Sequence, residues 1–209
     1  MLLHLIASFS QVNAMAGLGA ASAAATAGAC HNFTIDWISQ MKADGGAVSV
    51  AAATQRMSRL GVRSGAGNPV LQKAFGQRWA EGGTSYRLAD QMMIMMRGLR
   101  EVELAFDYSA YDQAALVNAV SAPAGCGMIY SFWFTGSVVG AAGGAHTIGF
   151  YRDLRPGGGR LNPTSTAISC FDPNFGECEV PEADFTLWHN HMASMYGPMN
   201  CHMMKVVDS

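Results

Sequence analysis

Charge is what this sequence has least of. Asp, Glu, Lys and Arg make up 13% of its 209 residues, about half the ~25% usual in globular proteins, and none of these types occurs before Asp36. With a formal net charge of -2, no basic surface is indicated that would attract nucleic acid or an anionic membrane, and both are set aside as partners. Paired cysteines are missing too. Cys30, Cys126, Cys170, Cys178 and Cys201 are odd in number and contain no C-x-x-C, which argues against a disulfide framework and a zinc ribbon and leaves at least one thiol free. A free thiol fits a reducing place of action without excluding export before folding. There is no internal repeat, proline-rich linker or charge run, so residues 1–209 read as a single domain long enough to bury its own core. The opening MLLHLIASFSQVNAMAG lacks the positive start of a signal peptide, although its short apolar run and its AMA leave about the first 25 residues open as a leader or export segment. Ala, Gly and Ser fill the uncharged stretch, whereas a membrane span takes ~20 predominantly apolar residues. Position two is not glycine, so myristoylation of the intact chain is not expected.

What is abundant is small and apolar: 24 glycines and 14 methionines in a chain that is 50% hydrophobic. The first half reads helical. After Cys30, the residues Phe33, Trp37 and Met41 recur at intervals of four, one apolar stripe of a helix that Asp44-Gly45-Gly46 ends. AVSVAAATQRMSRLG is a shorter helical stretch. GNPVLQKAFGQRW has Asn68 as N-cap and Pro69 at the first helical position, and TSYRLADQMMIMMRGL opens on Thr84 and closes near Gly98. The methionines between Met92 and Met96 read as gap-filling core rather than a cofactor box. The second half changes period. LREVELAF alternates, SAYDQAALVNAV reads as a helix capped by Ser109, and GMIYSFWF, GAHTIGFYRD and TSTAISCFD read as strands between glycine or proline turns. PEADFTLWHNHMASMYG returns to helical spacing, and CHMMKVVD closes as a strand. The expected class is α+β, a helical lobe followed by an antiparallel sheet.

Two of these strands flank RPGGGRLNP, a run rich in residues that allow tight turns. If the hairpin turns near Gly159, opposed residues have numbers summing to about 318, good to a residue or two, and His146 then faces Asp172 at the open end. An imidazole beside a carboxylate is two thirds of a thiol-catalysis site. The nucleophile is thiolate, with an ordinary pKa near ~8.5 that a helix N-terminus and an imidazolium both lower. Cys30 has the helix start. His146 could pair with it and protonate a leaving amine, with Asp172 holding the ring's tautomer and orientation. Gly28, Gly143 and Gly144 would leave backbone room for an extended substrate. At this level a core cysteine and an unrelated histidine stay open as the alternative.

These same segments resemble the YopT-type cysteine proteases, a papain-like family of secreted bacterial effectors. GACHNFTIDWI is similar to the family's nucleophile segment, SFWF followed by GGAHTIGFYRD to its histidine strand, and CFDPNFGE to its acid segment. The three blocks come in the family's order and span residues 28 to 178. The resemblance implies a papain-like α+β fold, in which a helical lobe carrying the nucleophile packs on a sheet carrying His and Asp. It implies Cys30 as nucleophile, His146 as general acid and base and Asp172 as orienting acid, with no cofactor and no metal. It further implies a secreted protein, delivered into a host or target cell, whose partner is a protein substrate such as a host signalling protein. Family members act on prenylated small GTPases or on kinases, and some cut their own precursor.

The chain departs from that pattern in two places. Papain-like enzymes place Gln or Asn about five or six residues before the nucleophile to complete the oxyanion hole, and here those positions are Ala24 and Ala25. Gln11, Asn13, Ser22 or Thr26 could substitute, or a second backbone amide. The other departure is His31-Asn32 directly after Cys30, with His31 expected on an exposed helix face. A side-chain amidase of glutamine-deamidase or transglutaminase type would use the same triad, and a degenerate papain-like binding module would not use it at all. His189, His191, Cys201 and His202 are not expected to hold a metal, because on a helix His189 and His191 lie about 200° apart. Asp36 and Asp153 are expected to be structural or solvated rather than partners of His146.

Overall fold

The computed structural model describes residues 3–17, 29–62, 85–123, 125–135, 144–152 and 167–208. Its centre is a seven-stranded sheet in the order β1-β6-β5-β4-β3-β7-β2, with every neighbouring pair antiparallel. The strands are β1 (Leu5–Ser8), β2 (Arg100–Ala110), β3 (Gly127–Phe134), β4 (Gly144–Tyr151), β5 (Ala167–Asp172), β6 (Gly176–Pro181) and β7 (Met199–Asp208). The helices are α1 (Gln11–Gly17), α2 (Cys30–Ala43), α3 (Val50–Val62), α4 (Ser85–Met96), α5 (Gln113–Ser121) and α6 (Phe185–Tyr196). Among the described residues, no helix is long and apolar enough to cross a membrane.

Both faces of the sheet are covered. Because successive strand residues point to opposite faces, β3 sends Ile129 into a core with Phe33, Trp37, Ile38 and Met41 of α2 and with residues of α3 and α4. It sends Met128, Tyr130 and Phe132 into a second core with Leu116 and Val120 of α5 and Trp188, Met192 and Tyr196 of α6. Each large apolar side chain so buried contributes roughly 1.5–3 kcal/mol. Burial on two sides explains why GMIYSFWF is apolar throughout rather than alternating.

The picture of a helical lobe followed by a sheet therefore needs correction. The stretch before LREVELAF supplies a strand of its own, β1, which pairs with β6, while LREVELAF falls in β2 beside β7, and helices lie on both sides. Helix α2 is likewise no simple amphipathic helix. Its residues from Cys30 through Ile38 are all buried, as is Met41, because the sheet lies beneath it and its polar side chains find partners. Its end is as expected, with Gly45 and Gly46 at φ 68° and 71°.

Helix α5 is capped by Asp112, whose carboxylate accepts from the amides of Ala114 and Ala115 at 2.8 and 3.2 Å; Ser109 lies inside β2, opposite His202. A carboxylate there satisfies two free amides and faces the positive helix end. The methionine run is mostly not core. Met92, Met95 and Met96 are 63%, 65% and 64% exposed, and only Met93 and Ile94 turn inward. Helical geometry gives a five-residue run a single inward side. The helix expected after Asn68 and the cap at Thr84 lie outside the described residues.

Candidate active site

Cys30 is the first residue of α2, and Ala29 before it has no side-chain cap. The amides of a first helical turn have no carbonyl inside the helix to donate to, so the start of α2 presents donors and a partial positive charge to its surroundings. The Ala29 amide donates instead to Gln11 Oε1 at 2.9 Å. Cys30 is 8% exposed.

His146 is the third residue of β4 and Asp172 the last of β5. Their strands pair Gly149 with Phe171, Phe150 with Cys170 and Tyr151 with Ser169. The register is two residues from the expected one, and a two-residue slip leaves each side chain on its original face. His146 Nε2 accordingly lies 2.9 Å from Asp172 Oδ1, with His146 4% and Asp172 0% exposed. Since Nε2 faces the carboxylate, Nδ1 is the ring nitrogen left for the sulfur.

The electrostatics join the three groups. Burial alone would push the Cys30 thiol up, but a hydrogen bond with His146, the charge on that ring and backbone amides of Thr147 and His31 hold it below its ordinary value. Burial alone would lower His146. The Asp172 carboxylate and the hydrogen bond with Cys30 instead raise it to about 10. A thiolate paired with an imidazolium is the charge state that these shifts favour.

One further group at this site, Tyr196, carried no signal in the sequence, and a second, Asn174, entered only as part of CFDPNFGE. Tyr196, at the end of α6, brings its hydroxyl to 2.8 and 3.0 Å from the two oxygens of Asp172 and stacks on His146 with ring centroids 4.7 Å apart. Asn174 donates from Nδ2 to the Tyr196 hydroxyl at 2.9 Å and accepts from Gln11 Nε2 at 2.6 Å. Of the suggested oxyanion donors, Gln11 is thus brought beside the nucleophile's helix, whereas Asn13 is exposed. Ser22, Thr26, Ala24 and Ala25 lie outside the described residues, as do Gly28, Gly143 and Asp153. Gly144 is described, at the exposed end of β4.

His31 is not on an exposed face. It is 2% exposed, with Nε2 2.6 Å from Asp90 Oδ1 and Nδ1 3.4 Å from Thr147 Oγ1. The start of α2 is buried on the side toward α4 and β4, so the ring needs polar partners and finds them there. Asp36 pairs with Arg97 at 3.2 Å. His189 is buried in α6 while His191 is only half-buried, and among the described residues no group of three His, Cys, Asp or Glu could hold a metal ion.

No sequence family and no curated protein matches the chain. The fold is similar to that of the Pseudomonas avirulence protein AvrPphB. The two structures align with a TM-score of 0.63 over 99% of this chain and 98% of that one, at 15% sequence identity. The likeness is one of fold and supports a papain-like arrangement of helices and antiparallel sheet.

Proposed function

We propose that the chain is a cysteine endopeptidase with Cys30, His146 and Asp172 as its triad, acting on a protein of a host or target cell into which it is delivered. The observation that carries this reading is the buried His146, which is bonded through Nε2 to Asp172 and whose influence holds the buried Cys30 thiol below its ordinary value. The resemblance of the three segments to YopT-type proteases and the fold likeness to an avirulence protein support the effector setting.

In this mechanism Cys30 Sγ attacks the peptide carbonyl carbon, and the carbonyl oxygen takes up negative charge. His146 gives its proton to the leaving nitrogen as the C–N bond breaks, leaving a thioester. Water, deprotonated by His146, then attacks the thioester and releases the acid and the thiolate. The Cys30 backbone amide is one donor for the oxyanion, and Gln11 Nε2, which gives one of its two hydrogens to Asn174, has a second to offer.

The reading is tested by Cys30→Ala, His146→Ala and Asp172→Ala, each expected to abolish cleavage of a target protein while the fold persists. A wild-type Cys30 no more reactive to iodoacetamide than Cys201 would refute it. Intact mass separates peptide cleavage from attack on a side-chain amide, which leaves the target whole and about one dalton heavier per site, the product of the same thioester chemistry.

A further inference from the structure

The hydrogen bonds around Asp172 form a chain with a fixed direction. The Ala29 amide donates to Gln11 Oε1, Gln11 Nε2 donates to Asn174 Oδ1, and Asn174 Nδ2 donates to the Tyr196 oxygen. A hydroxyl that accepts in this way has its single proton left to donate, and among the described residues it donates to the two oxygens of Asp172, at 2.8 and 3.0 Å. Oδ1 also accepts from the Asn174 amide at 2.9 Å and faces His146 Nε2 at 2.9 Å. The carboxylate is therefore held from its Oδ2 side by the tyrosine and from its Oδ1 side by the histidine. The chain runs from the residue before Cys30 to the acid that orients His146.

Tyr196 is itself immobilised. Its ring stacks on His146 at 24° and is boxed by Phe132, Phe134 and Phe175 at centroid distances of 5.3, 5.4 and 6.3 Å. Burial, and then the charge of Asp172, keep its hydroxyl protonated well above the usual phenol range. A tyrosine that served only as core packing would need one partner for its hydroxyl. Here both the donor and the acceptor functions are used by groups that touch the triad.

We infer that Tyr196 is a positioning residue for the triad, fixing the Asp172 carboxylate through its hydroxyl and the His146 ring through its face, with Asn174 and Gln11 tying both to the start of the Cys30 helix. The inference rests on the thiol-protease reading. In the absence of the hydroxyl, the carboxylate can turn away from Nε2, the imidazolium loses its fixed orientation, and the thiolate at Cys30 loses part of its counter-charge. The groups facing His146 are Asp172 from β5, Cys30 from α2 and Tyr196 from α6, while the neighbouring His31 is turned to Asp90 and Thr147.

The test is the rate of iodoacetamide alkylation at Cys30 against pH, mapped by peptide mass, for the wild type and Tyr196→Phe, which keeps the ring and removes the oxygen. The wild type should label Cys30 faster than Cys201 at pH 6. In Tyr196→Phe the alkylation midpoint should rise by about one unit, with about tenfold slower labelling below it, and kcat on a peptide substrate should fall while KM holds. An alkylation profile that superimposes on the wild type, even with a lowered melting temperature, would make Tyr196 a packing residue and overturn the inference. If Tyr196→Phe does not fold, Asn174→Ala interrupts the same chain at a half-buried position. A shift in the same direction supports the inference and an unchanged profile overturns it. A wild-type Cys30 as inert as Cys201 ends the protease reading itself, an outcome distinct from a variant that leaves a reactive Cys30 unchanged.

Discussion

Gly149 and Trp37 mark the close approach between the strand that carries His146 and the helix that carries Cys30. A Cβ at position 149 would lie 2.9 and 3.0 Å from two carbons of the Trp37 indole and 3.1 Å from Thr34 Cγ2. The indole cannot yield. Its Nε1 donates to Glu177 Oε2 at 2.8 Å, and it stacks on Phe171 at 5.3 Å. Gly149→Ala should therefore push α2 from β4 by a few tenths of an ångström, at a cost of about 1–3 kcal/mol for overpacking. Because thiol and imidazole ride on the two displaced elements, turnover should fall by more than stability does; misplacement by ~1 Å can cost ~10² in rate. Denaturant melts and kcat of the variant check this, and wild-type values for both would show that the contact has slack.

A second buried contact holds the other side of α2. Asp90 of α4 receives His31 on one oxygen at 2.6 Å and Lys205 of β7 on the other, and Lys205 also reaches Glu101 at 3.2 Å. Burial alone would raise the Asp90 carboxyl; the His31 and Lys205 partners outweigh it and hold the carboxyl low. Removing one member of a buried ion pair leaves the others uncompensated and typically costs about 3–5 kcal/mol. Asp90→Asn should lower the urea midpoint at pH 7 accordingly. A carboxylate with a lowered folded pKa contributes stability above the unfolded value near ~3.9 and loses it as pH falls through the folded value. The gap between wild type and variant should therefore narrow below about pH 4. A gap that stays constant with pH would assign the loss to packing instead of charge.

How far the sequence led depended on whether the relevant physics was local. The helix from Cys30, its glycine end and the strands of the second half follow from periodicity and turn residues. The meeting of His146 and Asp172 was legible because both lie on neighbouring antiparallel strands, and an error of two residues in the register preserves the face. Tyr196 was not legible. It reaches Asp172 only because α6 crosses the second face of the sheet, and nothing in MASMYG marks a hydroxyl that will meet a carboxylate 24 residues away. His31 and the methionines of α4 were misplaced because a helix of ambiguous pattern takes its inner side from what it packs against. Gln11 of α1, one of four side chains that the sequence offered for the missing Gln or Asn, is the one that meets Ala29, and no spacing rule counted back from Cys30 could choose among the four.

The thiol–imidazole pair fixes a pH window. Cys30 lies below the ordinary thiol value and His146 is raised to about 10, so the ion pair exists between those limits. Labelling of Cys30 and substrate cleavage should rise on an acidic limb below the usual thiol value near ~8.5, and cleavage should fall as pH rises through about 10, where His146 loses its proton. The sign for stability is the same. A histidine raised on folding contributes fully below its unfolded value near ~6.5 and loses that contribution as pH rises through the folded one. Asp172→Asn removes the largest influence raising His146, so the alkaline limb of labelling-coupled cleavage should move down in pH. An unmoved limb would mean that Asp172 does not set the histidine.

Acid should loosen a different part of the molecule. His189 is fully buried in α6, its Nε2 without a hydrogen-bond partner, and burial, followed by the nearby His202, lowers it to about 4. Its surroundings among the described residues are Tyr111, Tyr130, Phe185 and His202, with the Tyr111 hydroxyl 3.5 Å from Nδ1 and no carboxylate of those residues set against it. The unfolded chain takes up a proton on this ring near pH ~6.5 and the folded chain does not until about 4. Stability is therefore lost as pH falls across that interval, by up to about 1.4 kcal/mol per pH unit. His189→Phe keeps the stack on Tyr111 and has nothing to protonate. Between pH 6.5 and 4.5 it should lose about 2 kcal/mol less than the wild type, read from urea midpoints at the two pH values. His202, lowered by burial against the pull of Asp112, adds to the same slope and accounts for acid sensitivity that remains. If both proteins lose equal stability over this range, the ring at 189 is already solvated when folded, and the packing of α6 against β7 is looser than its burial implies.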